Sequence, residues 1–130
     1  MWLYVGIGGS LGALTRYGVS LLFSPFQFNG FPIATFSVNI LGSFLLGLTL
    51  GYVQNNELKN RRLYTGLTAG FLGSFTTFST FSVETVQFIE SGMFLMSVAY
   101  MVGSVVFGWM LASSGTKLGK RMWQVGKGLG

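Results

Sequence analysis

Apolar residues in this chain come in long blocks, without the alternation of a half-buried strand, and four such blocks are separated by short polar or turn-forming stretches. Blocks of about 20 apolar residues are what a bilayer core of about 30 Å requires of a spanning helix. The pattern predicts one all-α membrane domain with transmembrane helices over about 2–23, 33–53, 63–89 and 93–113, and a basic tail over 114–130. Ser24-Pro25, Asn29-Gly30 and Pro32 supply turn chemistry after the first block. The polar cluster Gln54-Asn55-Asn56-Glu57, with Lys59, Arg61 and Arg62, closes the second, and Glu90-Ser91-Gly92 is a short link to the fourth.

The third block differs from the others, because Ser74 to Ser82 is nine consecutive residues of serine, threonine and phenylalanine only. Gly70 and Gly73 lie just upstream, and β-branched threonines beside glycine weaken a helix. The run predicts a third helix broken near its middle, a feature tolerated at membrane depth only where protein or water covers the freed backbone. The first block is glycine-rich (Gly6, Gly8, Gly9, Gly12, Gly18), and the second carries a Gly47-xxx-Gly51 pair suited to close helix packing.

Composition narrows the function. Half of the residues are hydrophobic and 8% are charged, against about a quarter charged in soluble proteins. Cysteine and histidine are absent, so thiolate and imidazole chemistry is excluded, and no base, nucleophile or metal constellation of an enzyme can be assembled. In so apolar a chain the net charge of +5 reads as topology signal and contact to anionic lipid, not as nucleic-acid binding. Of the eight lysines and arginines, all but Arg16 fall in the segments that four spans place on one side. That bias predicts a multi-pass protein of the cell membrane whose main orientation has both ends in the cytoplasm. Met1-Trp2-Leu3-Tyr4 has neither a basic n-region nor a small-residue cleavage site, so the first span is expected to be retained.

Ionisable groups at membrane depth cost roughly 3 kcal/mol on insertion scales and are functional candidates by default. Here they are Arg16 and Glu84, with Glu90 and Arg62 at the edges. Arg16 has two roles open to it, snorkelling to the interface or serving a site; Glu84 can anchor helix packing or act in transport. Asn39 must meet a helix partner or a pore, since lipid satisfies neither end of its amide. Phe78 and Phe81, three apart, suit packing as well as a pore wall. Beside them lie the hydroxyls of Thr77, Ser79, Thr80 and Ser82, and aromatic rings carry positive edges. Such a lining suits a small anion, which needs donors to replace its water yet must not be held by a fixed cation.

Gly8-Gly9-Ser10-Leu11-Gly12-Ala13-Leu14-Thr15-Arg16-Tyr17, then Asn39, then Gly70 through Glu84 resemble the signatures of the Fluc (CrcB) bacterial fluoride channels. The likeness runs over essentially the whole chain, and its third-block motif is the specific part. It implies a passive fluoride-selective channel that lets cytoplasmic fluoride escape, built as an antiparallel, double-pored dimer. The resemblance assigns Phe78, Phe81 and Asn39 to the pores, with Thr77, Ser79, Thr80, Tyr100, Ser104 and Thr35 as a polar track; Gly108 stands where a further serine could extend it. It also implies a structural sodium ion at the dimer interface, held by the backbone carbonyls of Gly73 and Thr76 from each subunit, and a structural or vestibule role for Arg16. Glu84 lies as in the family, with its role open. A homodimer inserts in both orientations and needs a balanced charge bias; the one-sided bias here points instead to an oppositely oriented paralogue as partner, with self-pairing the other option. The rival reading, a proton-coupled exporter of the small multidrug type, needs a first-span carboxylate, and this first block has none.

Overall fold

A computed structural model describes residues 1–26, 30–53 and 60–128. Asn29 and the polar cluster from Gln54 to Glu57, with Lys59, lie outside the described residues. Helices α1 (Trp2–Phe23) and α2 (Ile33–Val53) are followed by α3 (Arg61–Thr65), a π-helical segment (Gly66–Leu72), α4 (Gly73–Phe75), α5 (Ser79–Glu90) and α6 (Phe94–Gly128).

Glycine decides how these helices meet. A side chain at Gly8 or Gly12 of α1 would run into the backbone of Gly66 or Phe71, and one at Gly66 or Gly70 would meet the backbone of Tyr4 or Val5. The same holds on the other side of the molecule, where Gly47 and Gly51 of α2 abut the Ala112 and Thr116 carbonyls, and Gly115 and Gly119 of α6 abut those of Phe44 and Leu48. With no hydrophobic drive between helices in lipid, such backbone-to-backbone approach is the main source of van der Waals association. Residue numbers rise together in both pairings, so α1 lies parallel to the α3–α4 segment and α2 parallel to α6. Ser20 and Arg16 of α1 sit beside Ala34 and Val38 of α2, which makes α1 and α2 antiparallel. Trp2, Arg61 and Thr116 therefore lie at one end of the molecule, and Gly30, Ser91 and Met93 are gathered at the other.

The outer faces are apolar. Trp2, Leu3, Leu14, Leu22, Leu95, Val105 and Trp109 are all largely exposed, Leu95 at 82%, an apolar surface that calls for lipid or a partner. By length and composition α2 and α6 are each able to cross a membrane; α1, 22 residues long, is diluted by glycine and by Arg16.

The residues beyond Ser113 are helical as far as Gly128, making α6 a 35-residue rod. Gly115 and Gly119 in this stretch are buried against α2, while Lys117, Leu118, Lys120, Arg121, Met122 and Gln124 are strong helix formers. At 1.5 Å per residue the rod is about 52 Å long, well beyond a hydrocarbon core.

Gly51→Ala places a methyl group against the Thr116 backbone and is expected to destabilise the fold by about 1–3 kcal/mol, the usual range for overpacking. Gly126→Ala, with nothing within 4 Å, is expected to be neutral or to stabilise by up to about 1 kcal/mol. Unfolding in detergent followed by circular dichroism compares the two, and equal midpoints would contradict this account of the packing.

Candidate functional site

The helix that begins at Arg61 stops at Phe75, Thr76 is extended (φ −80°, ψ 157°), and a new helix starts at Ser79. Between the two, backbone groups lose their partners four residues away and must find others. Asn39 of α2 supplies two: its Nδ2 donates to the Thr77 carbonyl at 2.9 Å, and its Oδ1 accepts from the Thr77 N–H at 2.8 Å. The side-chain amide thus pairs with Thr77 as a neighbouring strand would. Ser43 donates to the Asn39 carbonyl at 2.7 Å, one turn further along α2. The Thr77 hydroxyl oxygen accepts from the Thr80 N–H at 3.3 Å, giving a partner to one of the free donors in the first turn of α5. It also donates to the Thr80 hydroxyl at 3.1 Å and lies 3.5 Å from that of Ser79.

Two clefts meet at this turn. One, of about 410 Å³, is lined by Asn39, Ser43, Thr68, Gly73, Thr76, Thr77, Phe78, Phe81 and Ser104 among others. The second, of about 260 Å³, is lined by Arg16, Tyr17, Ser20, Thr35, Thr77 and Thr80 together with apolar neighbours. Thr77 belongs to both walls. Phe78 is 79% exposed in the single chain, and its ring lies 6.0 Å from that of Phe81, centroid to centroid.

Behind Phe81 sits a polar knot. Glu84 accepts from the Thr35 hydroxyl at 2.7 Å and from the Tyr100 hydroxyl at 2.8 Å, joining α2, α5 and α6. Tyr100 is 1% exposed, with the rings of Phe31, Phe81 and Phe88 packed around it at 4.9–6.0 Å. Glu84 also borders a third cleft of about 210 Å³, with Gly30, Pro32, Gln87 and Ser91, at the end of the molecule away from Arg61. Among the described residues, every buried side-chain nitrogen and oxygen has a hydrogen-bond partner.

The residues singled out in the sequence divide into groups. Asn39, Thr77, Phe78, Phe81, Ser104, Gly73 and Thr76 share one cleft; Arg16, Thr35, Thr77 and Thr80 share the other. Ser79 is exposed and lines neither, and Tyr100 is buried with Glu84 instead of facing either cleft. Phe78 precedes the first turn of α5, so the two phenylalanines meet across a helix start, not along a helix face. Sequence reasoning missed Ser43 and Thr68 as cleft residues. Ser43 was detectable as the residue one turn beyond Asn39 on the same face; Thr68 reaches the wall through the π-helical register, which nothing in the sequence announces.

Polar clefts walled by hydroxyls, an amide and aromatic rings, set in a helical bundle with an apolar outer surface, point to the class of small membrane transport proteins. The chain belongs to the CrcB family, whose description, CrcB-like protein, Camphor Resistance (CrcB), matches residues 3–116. It is 41% identical over 125 residues to a protein named fluoride-specific ion channel FluC 2 from Staphylococcus saprophyticus, covering 93% of this chain and 98% of that one. It is 44% identical over 117 residues to the fluoride-specific ion channel FluC of Ruminiclostridium cellulolyticum, with 85% and 90% of the two chains covered. The FluC channel of Chlorobium phaeobacteroides is 43% identical over 119 residues, 92% of each chain.

Asn39→Ala removes both partners of Thr77 and is expected to cost about 1–3 kcal/mol through the unsatisfied buried groups it leaves. Ser43→Ala removes one neutral bond, at about 1 kcal/mol. Guanidinium unfolding of the two variants in the same detergent ranks them, and an Asn39→Ala protein as stable as Ser43→Ala would show that the clamp carries little.

Proposed function

We propose that this chain is a subunit of a passive fluoride channel that crosses the cell membrane four times, works as an inverted dimer with two pores, and releases cytoplasmic fluoride. The observation that carries the reading is the Thr77 turn: Asn39 holds it open at the meeting of two hydroxyl-lined clefts, with Phe78 and Phe81 beside it. Relatives at 41–44% identity carry the same channel name, which supports fluoride as the ion.

In this reading a dehydrating fluoride passes between neutral donors. Arg16 at the second cleft raises the local anion concentration. The hydroxyls of Thr80, Thr77 and Ser104 replace water one at a time, and the positive edges of Phe78 and Phe81 continue the path without a full charge. No donor binds the ion tightly enough to stop it. Glu84, engaged by two hydroxyls, holds α2, α5 and α6 in register beside this path.

The carbonyls of Gly73 and Thr76 are proposed to hold a structural sodium ion. Their chemistry fits, since hard cations take neutral oxygen ligands. Thr77, four residues beyond Gly73, gives its N–H to Asn39 instead, and both residues line the exposed larger cleft. Among the described residues no group of three or more His, Cys, Asp or Glu is available for a metal, so the backbone is the fitting donor set. Two carbonyls from one chain are too few for sodium, and two more from a second copy complete the set. Such an ion would neutralise carbonyl dipoles that lipid cannot satisfy. The one-sided placement of Lys and Arg favours an oppositely oriented paralogue as the partner in the cell.

Liposomes loaded with potassium fluoride and carrying the purified chain are expected to release fluoride to an electrode, with chloride retained. Phe81→Ala is expected to slow release at least tenfold, a loss of about 1.4 kcal/mol in barrier terms. No release by the chain alone, restored by an oppositely biased paralogue, would establish a heterodimer; no release in either case would sink the channel reading. Exchanging sodium for N-methylglucamine during purification is expected to lower the dimer's unfolding midpoint, and an unchanged midpoint would remove the sodium site.

A further inference from the structure

The part of α6 beyond Ser113 has no place in the pathway. It carries Lys117, Lys120, Arg121 and Lys127, and the sequence holds no acidic residue after Glu90. On a helix of 3.6 residues per turn these four cations fall within an arc of about 120°. The arc lies opposite Gly115 and Gly119, which are buried against α2. Along one flank run Leu118, Met122 and Val125, all exposed, and on the other the Lys127 ammonium sits 4.5 Å above the Trp123 ring. A helix solvated on all sides would have no use for that apolar flank.

Depth sets what the arc can meet. The contacts of Gly51 with Thr116 and of Gly119 with Leu48 fix the stretch level with the end of α2. That end is the edge of the hydrocarbon core that the 21 residues of α2 suffice to span, so Lys117, Lys120 and Arg121 stand at the level where the headgroups begin. Arg61 and Arg62 start α3 at the same end, beside the exposed Trp2. We infer that this extension of α6 is a binding surface for anionic phospholipid headgroups, with Lys117, Lys120 and Arg121 as the phosphate-facing cations and Leu118, Met122 and Val125 seated among the glycerol and upper acyl groups. Charge complementarity and headgroup depth favour lipid over a soluble acidic protein, which would leave the apolar flank in water. The surface ties this end of the chain to a leaflet rich in acidic lipid, separately from conduction.

The full chain in neutral detergent micelles, doped with phosphatidylglycerol or phosphatidylcholine, is followed by thermal unfolding and by native mass spectrometry of retained lipid. Phosphatidylglycerol is expected to raise the midpoint and to be retained preferentially, with most of the preference lost at high salt. The K117Q/K120Q/R121Q variant is expected to bind phosphatidylglycerol at least roughly tenfold more weakly, given the attraction each such cation contributes near an anionic surface, while unfolding like the parent in phosphatidylcholine. Equal effects of the two lipids on the unmodified chain, a salt-independent preference, or an unchanged preference in the variant would overturn the proposal. So would soluble polyphosphate reproducing the full stabilisation without lipid, which would mark a site for soluble polyanions.

Discussion

Inside a bilayer every backbone N–H and C=O must find its partner within the protein, and the rest of this structure is arranged around a break in the third block where the helical pattern does not supply it. The chain between Phe75 and Ser79 leaves the helix. Asn39 answers with both ends of its amide, from a residue 38 positions earlier in sequence. That pairing fixes α2 against the turn, sets where α5 starts and brings Ser43, one turn beyond Asn39, into the same wall. A hydrocarbon side chain at position 39 would leave the Thr77 backbone with no partner in lipid.

The packing serves that arrangement. Two parallel helix pairs, each locked by glycines against facing backbone, leave little room for sliding, so the two clefts that Thr35, Thr77, Thr80 and Ser104 help to line keep their walls in place. The Glu84 knot adds a second constraint, since Thr35, Glu84 and Tyr100 come from three different helices. Both of its carboxyl oxygens accept from hydroxyls, which gives an ionisable group within an apolar bundle its hydrogen-bond partners.

The outer surface has two characters. Most of it is apolar along the length of the helices, while the Arg61 end gathers the cations of α3 and of the α6 extension. The opposite end carries Glu90 and short turns through Gly30 and Gly92, both with positive φ. This polarity is the observation that favours the oppositely oriented partner proposed above.

The sequence by itself determined the helical, membrane-embedded class, because block length and charge distribution respond directly to the thickness and dielectric of a bilayer. It also marked Asn39, Phe78, Phe81 and the hydroxyl run, since polar groups and leucine-free stretches stand out against an apolar background. Only the tertiary structure decided what each residue touches. Asn39 pairs with the Thr77 backbone, Tyr100 turns away from the clefts toward Glu84, Ser79 lies outside both walls, and Gly66–Leu72 adopts π-helical spacing. Those outcomes depend on contacts between residues far apart along the chain and on helix register at the scale of one residue. Periodicity reports which face of a helix is apolar; it carries no information about which neighbour that face will meet.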